Sequence, residues 1–223
     1  MGKWLEGTHR QLTYDALSRI RLFVGVISLG KSLVIVSKLK DTLIEKIVDA
    51  NVATDSGDYK NKQNYHYCAD RDADWTVDYA RGAYSETLVQ ERKHFLEIIS
   101  ANQNDKESCL VALEYLGRLC HMWQDYYAHG VEKDDSWFGA DIGTIKGNPN
   151  SPTMIPVSYG SLGFVGGHGG FFRLMNPFSN VEPGDRADDA ETRRSQAERF
   201  TNNEAFPLLL EWFKSCKCVY SQM

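Results

Sequence analysis

Residues 105–129 read DKESCLVALEYLGRLCHMWQDYYAH, and this stretch decides the fold. Its apolar residues recur every three or four positions, which is the period of one helical face. Gly130 follows directly, and glycine is typical of a left-handed helix stop. The stretch therefore predicts a long helix that ends at Gly130.

Similar periods predict further helices on both sides of this stretch. They are expected from about His9, after the cap residue Thr8; from Asp41; and over about 74–101, 187–201 and 204–219. Pro207 falls near the first turn of the last one, where proline is tolerated. The apolar stretch 20–39 contains three basic residues and two glycines, so it predicts one or two buried helices rather than a membrane span.

Two regions lack a helical period. Residues 51–74 are polar and rich in turn residues, and residues 139–184 are rich in glycine and proline. Long ordered loops are often functional. With 223 residues the chain is long enough for one domain. The fold prediction is one all-α domain over residues 1–223, a helical bundle with irregular loop insertions.

Composition narrows the function classes. The net charge is −5, so no global basic field attracts nucleic acid or anionic membranes. No apolar signal segment follows Met1, which predicts a cytoplasmic protein, export by a non-classical route, or a leader that has been removed. The five cysteines are odd in number and irregularly spaced, so we expect reduced and mostly buried thiols.

The end of the long helix carries candidate metal ligands. His121, Asp125 and His129 are spaced i, i+4 and i+8, close to one helical face. The two histidines lie ~12 Å apart along the helix axis, too far to share one ion. Asp125 lies between them, and a carboxylate can bridge two ions ~3.5–4 Å apart. The pattern indicates a site for more than one zinc or manganese ion, although such pairs also occur as ordinary surface residues.

Other candidate ligands are dispersed along the chain. His9 lies in the first predicted helix, Asp55 lies in the polar loop, and His66 lies between two tyrosines. His168 is flanked by glycines, which permit close approach to a ligand; we favour a ligand over a surface residue. His94 has no such neighbours and is interpreted as a surface residue.

These motifs occur in the order of a known family. The matching pieces are Trp4 to His9, Asp55, Tyr65-His66-Tyr67 with Asp70 and Asp72, and His121-x-x-x-Asp125 after Leu116-Gly117. Over roughly residues 4–130 the chain resembles the bacterial zinc-dependent phospholipases C and the fungal single-strand-specific nucleases, which share a helical fold.

The resemblance implies a zinc phospholipase C-like fold with a cluster of two or three zinc ions. It implies that the central ions are held by Asp55, His66, His121 and Asp125, with Asp125 bridging. His9 would bind a further ion, and His129 would begin the remaining site. His168 with one of the acids Asp185, Asp188 or Asp189 would complete that site, and Asp55 would also act as the general base.

The chain departs from the family pattern in three places. Met1, Gly2 and Lys3 precede Trp4, whose free amino group binds zinc in the family. Only three residues separate Asp125 from His129, and no His-x-x-x-Asp or His-x-x-x-Glu pattern follows. These departures motivate an alternative of another class, a non-catalytic metal-stabilised helical module that binds a partner.

The leading prediction is hydrolysis of phosphodiesters by metal-activated water. Zinc lowers the pKa of bound water to ~7, and no serine-nucleophile or phosphate-loop motif is present. Aromatic residues in the glycine-rich region can stack bases or insert at a lipid surface. The acidic balance favours a phospholipid substrate, with transient membrane-surface contact, over nucleic acid. A single-strand nuclease is the alternative of the same fold.

Overall fold

The computed structural model describes residues 3–28, 31–56, 58–59, 62–70, 76–101, 105–131, 146–159 and 187–217. Five α-helices make up most of this part of the chain: α1 Lys3–Ser18, α2 Asp41–Ala53, α3 Val77–Ala101, α4 Lys106–His129 and α5 Ala187–Ser215. The all-α class and the helical bundle are therefore confirmed. The assignment of residues 1–223 to one domain stays a prediction.

Helix α4 is the centre of the bundle. It packs against α2, α3 and α5, and every residue from 116 to 127 is buried. A helix that is buried all round belongs to a core. Its start is fixed by Asp105, whose Oδ2 accepts a hydrogen bond from the backbone N–H of Ser108 at 2.8 Å. The predicted bounds of this helix are confirmed.

Gly117 and Gly130 leave room for neighbouring atoms that a side chain would displace. The predicted left-handed stop at Gly130 is wrong, because its φ is −69°. A Cβ at Gly130 would lie 2.7 Å from the carbonyl oxygen of Tyr126. A Cβ at Gly117 would lie 2.5 Å from the carbonyl oxygen of Ile47 and 2.9 Å from the backbone nitrogen of Asn51. Gly117 therefore lets α2 approach the backbone of α4.

Three predicted helical segments differ from the structure. Helix α1 begins at Lys3, so Thr8 is not a cap and His9 lies in the second turn. Helix α5 is continuous, with Pro207 in its interior, where two helices were expected. The stretch 20–39 is not helical but forms strands β1, Arg21–Ser28, and β2, Lys31–Lys38. These strands pair antiparallel from Arg21↔Lys38 to Ser28↔Lys31. The valines and isoleucines of this stretch favour strands over helix.

A second small sheet ties two parts of the chain together. Strand β3, Cys68–Asp70, pairs in parallel with β5, Ile155–Tyr159, and β5 pairs antiparallel with β4, Gly130–Val131. The segment 62–70 was expected to be loop and contains a 3-10 turn, Gln63–Tyr65, before β3. The sheet joins the segment after His66 to the end of α4.

The cysteine prediction is wrong for one pair, because Cys109 and Cys216 form a disulfide. Helix α5 runs back antiparallel along α4, so the end of α5 meets the start of α4. The two cysteines are 107 residues apart in sequence, which is why their spacing carried no signal. Cys120 is a buried free thiol, as expected, and burial raises its pKa. None of the helices in the described ranges has the length and apolar character needed to cross a membrane.

Candidate metal centre

Six side chains with nitrogen or oxygen donors meet inside the bundle. They come from α1, from the turn after α2, from the residue after the 3-10 turn, and from three positions of α4. Five are buried and one is half-buried: His9, His66, His121, Asp125 and His129 are buried, and Asp55 is half-buried. Three distant segments therefore converge on one face of α4.

Asp125 lies at the middle of this cluster. Its Oδ2 is 3.0 Å from Nε2 of His121 and 3.1 Å from Nδ1 of His66. Its Oδ1 is 3.0 Å from Nε2 of His9 and 3.5 Å from Nε2 of His129. Each carboxylate oxygen therefore faces its own pair of imidazoles, which is the arrangement expected of a bridging ligand.

Asp55 lies beside the same imidazoles. Its Oδ1 is 3.7 Å from Nε2 of His121 and 3.8 Å from Nδ1 of His66. Its Oδ2 is buried and has no hydrogen-bond partner. Two sets of these side chains have donor atoms close enough together to hold a metal ion: His9 with Asp55 and His121, and His66 with His121 and Asp125.

In three histidines the outer ring nitrogen, the one that faces away from Asp125, is held by an oxygen atom. The pairs are His9 Nδ1 with Gln124 Oε1 at 2.7 Å, His121 Nδ1 with Asn51 Oδ1 at 3.3 Å, and His66 Nε2 with the Tyr59 carbonyl at 3.1 Å. An amide or carbonyl oxygen only accepts, so each outer nitrogen donates. In the neutral imidazoles the inner nitrogens then present lone pairs to the carboxylates. Such anchoring of the outer nitrogen is typical of metal-binding histidines.

The two amide side chains are themselves held in place. Nδ2 of Asn51 donates to Oγ1 of Thr13 at 2.7 Å, and Nε2 of Gln124 donates to the same oxygen at 2.8 Å. Both amide oxygens are thereby turned toward the histidines. None of these three residues carries a signal in the sequence, because an isolated Thr, Asn or Gln is an ordinary polar residue.

Tyr67, the residue after His66, has a φ of 47°, which is rare for a bulky side chain. Its hydroxyl donates to the carbonyl oxygen of Met154 at 2.5 Å. Its ring contacts Tyr84 and Tyr126, with ring centroids 4.8 Å away in both cases. Strained backbone of this kind is found at functional sites, where the surroundings hold it.

Lone pairs and negative charges that meet at about 3 Å repel unless a cation or protons lie between them. Burial alone would lower the pKa of His9, but Asp125 and Asp55 outweigh it and raise that pKa to about 9. Burial would raise the pKa of Asp125, but His121, His129 and His9 hold it well below its usual range. Burial, with the charge of His9, lowers the pKa of His121. The donor set and the partnerless Oδ2 of Asp55 fit a divalent cation.

The remaining predicted residues fall elsewhere. His168 and Asp185 lie outside the described residues, as do the side chains of Asp188 and Asp189. His94 lies on α3, is exposed, and contacts the ring of Tyr115, in keeping with a surface residue.

Comparison with models of known families, with curated proteins and with solved structures gives no match for this chain. The resemblance to zinc phospholipases C therefore stays a prediction from the motifs.

Proposed function

We propose that this chain is a zinc-dependent phosphodiesterase of the phospholipase C type. The observation that carries the proposal is the position of Asp125, whose two oxygens face two separate pairs of imidazoles. Nitrogen and carboxylate donors without a thiolate suit zinc. His66, His121 and Asp125 would hold one ion, His9 and Asp55 would contribute to a second, and His129 would begin a third. A third ion at His168 stays a prediction.

When bound, zinc supplies Lewis acidity and makes water acidic enough to be a nucleophile near neutral pH. Asp55 has the most exposed side chain of the six, at 11%, so it marks the side from which a substrate would arrive. Its Oδ2 is free to accept a proton from a water molecule that attacks phosphorus. The net charge of −5 supports a phospholipid substrate over a nucleic acid.

The first test is the metal content of the purified protein by plasma mass spectrometry. We expect two or three zinc ions per chain. A chain that holds no zinc, and takes up none on titration, would contradict the proposal. A positive result leads to turnover assays with phosphatidylcholine, a chromogenic phosphodiester and single-stranded DNA. Cleavage of DNA alone would move the assignment to the nuclease alternative.

Two variants test the role of the cluster. His121→Ala and Asp125→Asn should lose bound zinc and at least 100-fold in activity, because each removes a donor that no other side chain replaces. Matched controls are His94→Ala on α3 and Asp49→Asn on the exposed face of α2, which should keep both properties. Full activity of the two cluster variants, folded as judged by circular dichroism, would overturn the proposal.

Burial of the cluster supports the second candidate function, a metal-stabilised module that binds a partner without catalysis. His121 is fully buried, and Asp125 and His129 are each 1% exposed. If this candidate is correct, metal removal should lower the melting temperature, and the metal-loaded protein should cleave no diester. Turnover of any phosphodiester by the zinc-loaded protein, lost in Asp125→Asn, would exclude it.

A further inference from the structure

His66 reaches the cluster from a short segment rather than from a long helix. It follows the 3-10 turn Gln63–Tyr65, and its Nε2 donates to the carbonyl oxygen of Tyr59 at 3.1 Å. A single turn makes few hydrogen bonds of its own, so the position of His66 depends on neighbouring elements.

Glu91 fixes the residue next to His66. This α3 residue is 5% exposed, and its Oε1 accepts a hydrogen bond from the hydroxyl of Tyr65 at 2.8 Å. Its Oε2 accepts one from Nε of Arg118 at 2.6 Å. Both carboxylate oxygens are thus used, one toward the 3-10 turn and one toward α4.

Arg118 holds the other anchor of His66. It lies on α4, one turn before His121, and its guanidinium carbon is 4.1 Å from the ring centroid of Tyr115 and 5.2 Å from that of Tyr59. A guanidinium that stacks on an aromatic ring attracts its face. Arg118, together with Lys62, whose Nζ lies 4.6 Å from the same centroid, therefore holds the ring of Tyr59, the residue whose carbonyl oxygen anchors the imidazole of His66.

We propose that Glu91 and Arg118 are positioning residues that aim Nδ1 of His66 at the metal centre. The inference rests on the proposed function, in which His66 is a zinc ligand. A buried ion pair is seldom more stabilising than apolar residues of similar volume, so stability alone does not explain this one. The pair instead orients its neighbours, because a hydrogen bond from Tyr65 to Glu91 and stacking of Arg118 on Tyr59 hold the two tyrosines in one orientation.

The test replaces both partners at once, with the double variant Glu91→Leu, Arg118→Met. Apolar packing between α3 and α4 is kept, so the circular dichroism spectrum should change little, while the melting temperature should fall modestly because the Tyr65 hydroxyl loses its acceptor. Zinc affinity, measured by competition with a chromophoric chelator, should fall 10–100-fold. The matched control is Lys93→Gln, Glu97→Gln, which removes an exposed pair of α3 and should leave the affinity unchanged.

A second readout needs no zinc. In the metal-free protein, ¹H–¹⁵N spectra should show an Nε2–H of His66 that is protected from exchange with solvent by its hydrogen bond to the Tyr59 carbonyl, and this protection should be lost in the double variant. A protein that binds no zinc would contradict the proposed function, and the spectra would still decide the inference. An unchanged protection of the His66 Nε2–H in the double variant overturns it.

If the double variant does not fold, Arg118→Lys takes its place. Lysine keeps a charge for Glu91 but has no planar group to stack on Tyr59. Weaker zinc binding at an unchanged melting temperature would support the positioning role. Wild-type affinity together with a wild-type His66 spectrum would overturn it.

Discussion

Asp125 and His9 show how single residues set the properties of the centre. Their carboxylate and imidazole approach to 3.0 Å in a place closed to water. Such a contact requires a proton or a cation between them. The raised pKa of His9, about 9, means that the metal-free protein fills this need with a proton.

This proton predicts a pH-dependent stability of the metal-free protein. The folded-state pKa of His9 is above the model-peptide value of 6.5, so its contribution is fully present below pH 6.5 and is lost as the pH rises through about 9. Wild type should therefore lose part of its stability advantage over His9→Gln as the pH rises. This difference in the free energy of unfolding should be up to about 3 kcal/mol smaller at pH 9 than at pH 6.5.

The measurement is urea unfolding in the presence of a chelator at several pH values. The matched control is His94→Gln, which makes the same substitution at an exposed histidine of α3 outside the cluster. A difference between wild type and His9→Gln that stays constant over this pH range would show that His9 is neutral in the folded protein.

At the residue scale, the sequence indicated the candidate ligands better than it indicated the residues that hold them in place. The spacing of His121, Asp125 and His129 was visible as a helical period, because neighbouring turns of one helix fix their relative position. Gln124 and Asn51 acquire their roles only where α1 and α2 meet α4, 115 residues apart in the case of His9 and Gln124. No local pattern records such a contact.

The close packing of α2 against α4 depends on Gly117, which has no side chain. At Gly117 a Cβ would meet Cβ of Ala50 at 2.6 Å as well as backbone atoms of Ile47 and Asn51. Backbone atoms cannot move aside as a flexible side chain does. The separation of the two helices, and with it the contact of Asn51 with His121, is set by this glycine.

We expect Gly117→Ala to destabilise the protein by about 1–3 kcal/mol, because the methyl group forces the helices apart. Zinc affinity should fall as well, since Asn51 moves away from His121. Gly82→Ala on α3 is the matched control, because nothing lies within 4 Å of its Cβ. That variant should gain about 0.5–1 kcal/mol. Equal effects of the two substitutions in thermal unfolding would refute this account.

Two elements differ from the sequence prediction, and each has its own physical reason. In residues 20–39, polar and apolar residues do not alternate, and no residue is a clear helix cap. An apolar run of this kind fits a helix or a hairpin equally well. Pro207 was expected near the first turn of a separate helix, yet α5 continues through it. Leu208, Leu209 and Trp212 beyond it are buried, and this packing outweighs the proline penalty.

The disulfide acts on the molecule as a whole. Cys109 and Cys216 join the start of α4 to the end of α5, and the indole nitrogen of Trp212 donates to the carbonyl oxygen of Cys109 at 2.7 Å beside them. The bond closes a loop of more than a hundred residues, so it restricts the unfolded chain strongly.

Reduction of this bond should therefore lower the free energy of unfolding by about 2–4 kcal/mol. Urea unfolding with and without dithiothreitol measures the change. Cys120→Ala, which removes the free thiol, should respond to the reductant as wild type does. The double variant Cys109→Ala, Cys216→Ala should not respond. A reductant effect that persists in the double variant would mean that the stabilising bond lies elsewhere.

Metal binding should link the parts of the molecule that the disulfide leaves apart. The candidate ligands come from α1, from the turn after α2, from the segment after the 3-10 turn and from α4, so a bound ion would fix four segments that the unfolded chain does not bring together. Each zinc ion at 100 times its Kd should stabilise the fold by about 2.7 kcal/mol. For a chain of this size that corresponds to a rise of about 5–10 °C in Tm. The rise should disappear in Asp125→Asn and persist in Asp49→Asn. A Tm that does not respond to zinc in the wild type would mean that the cluster is filled by protons alone, and the bundle would then be held by packing and the disulfide.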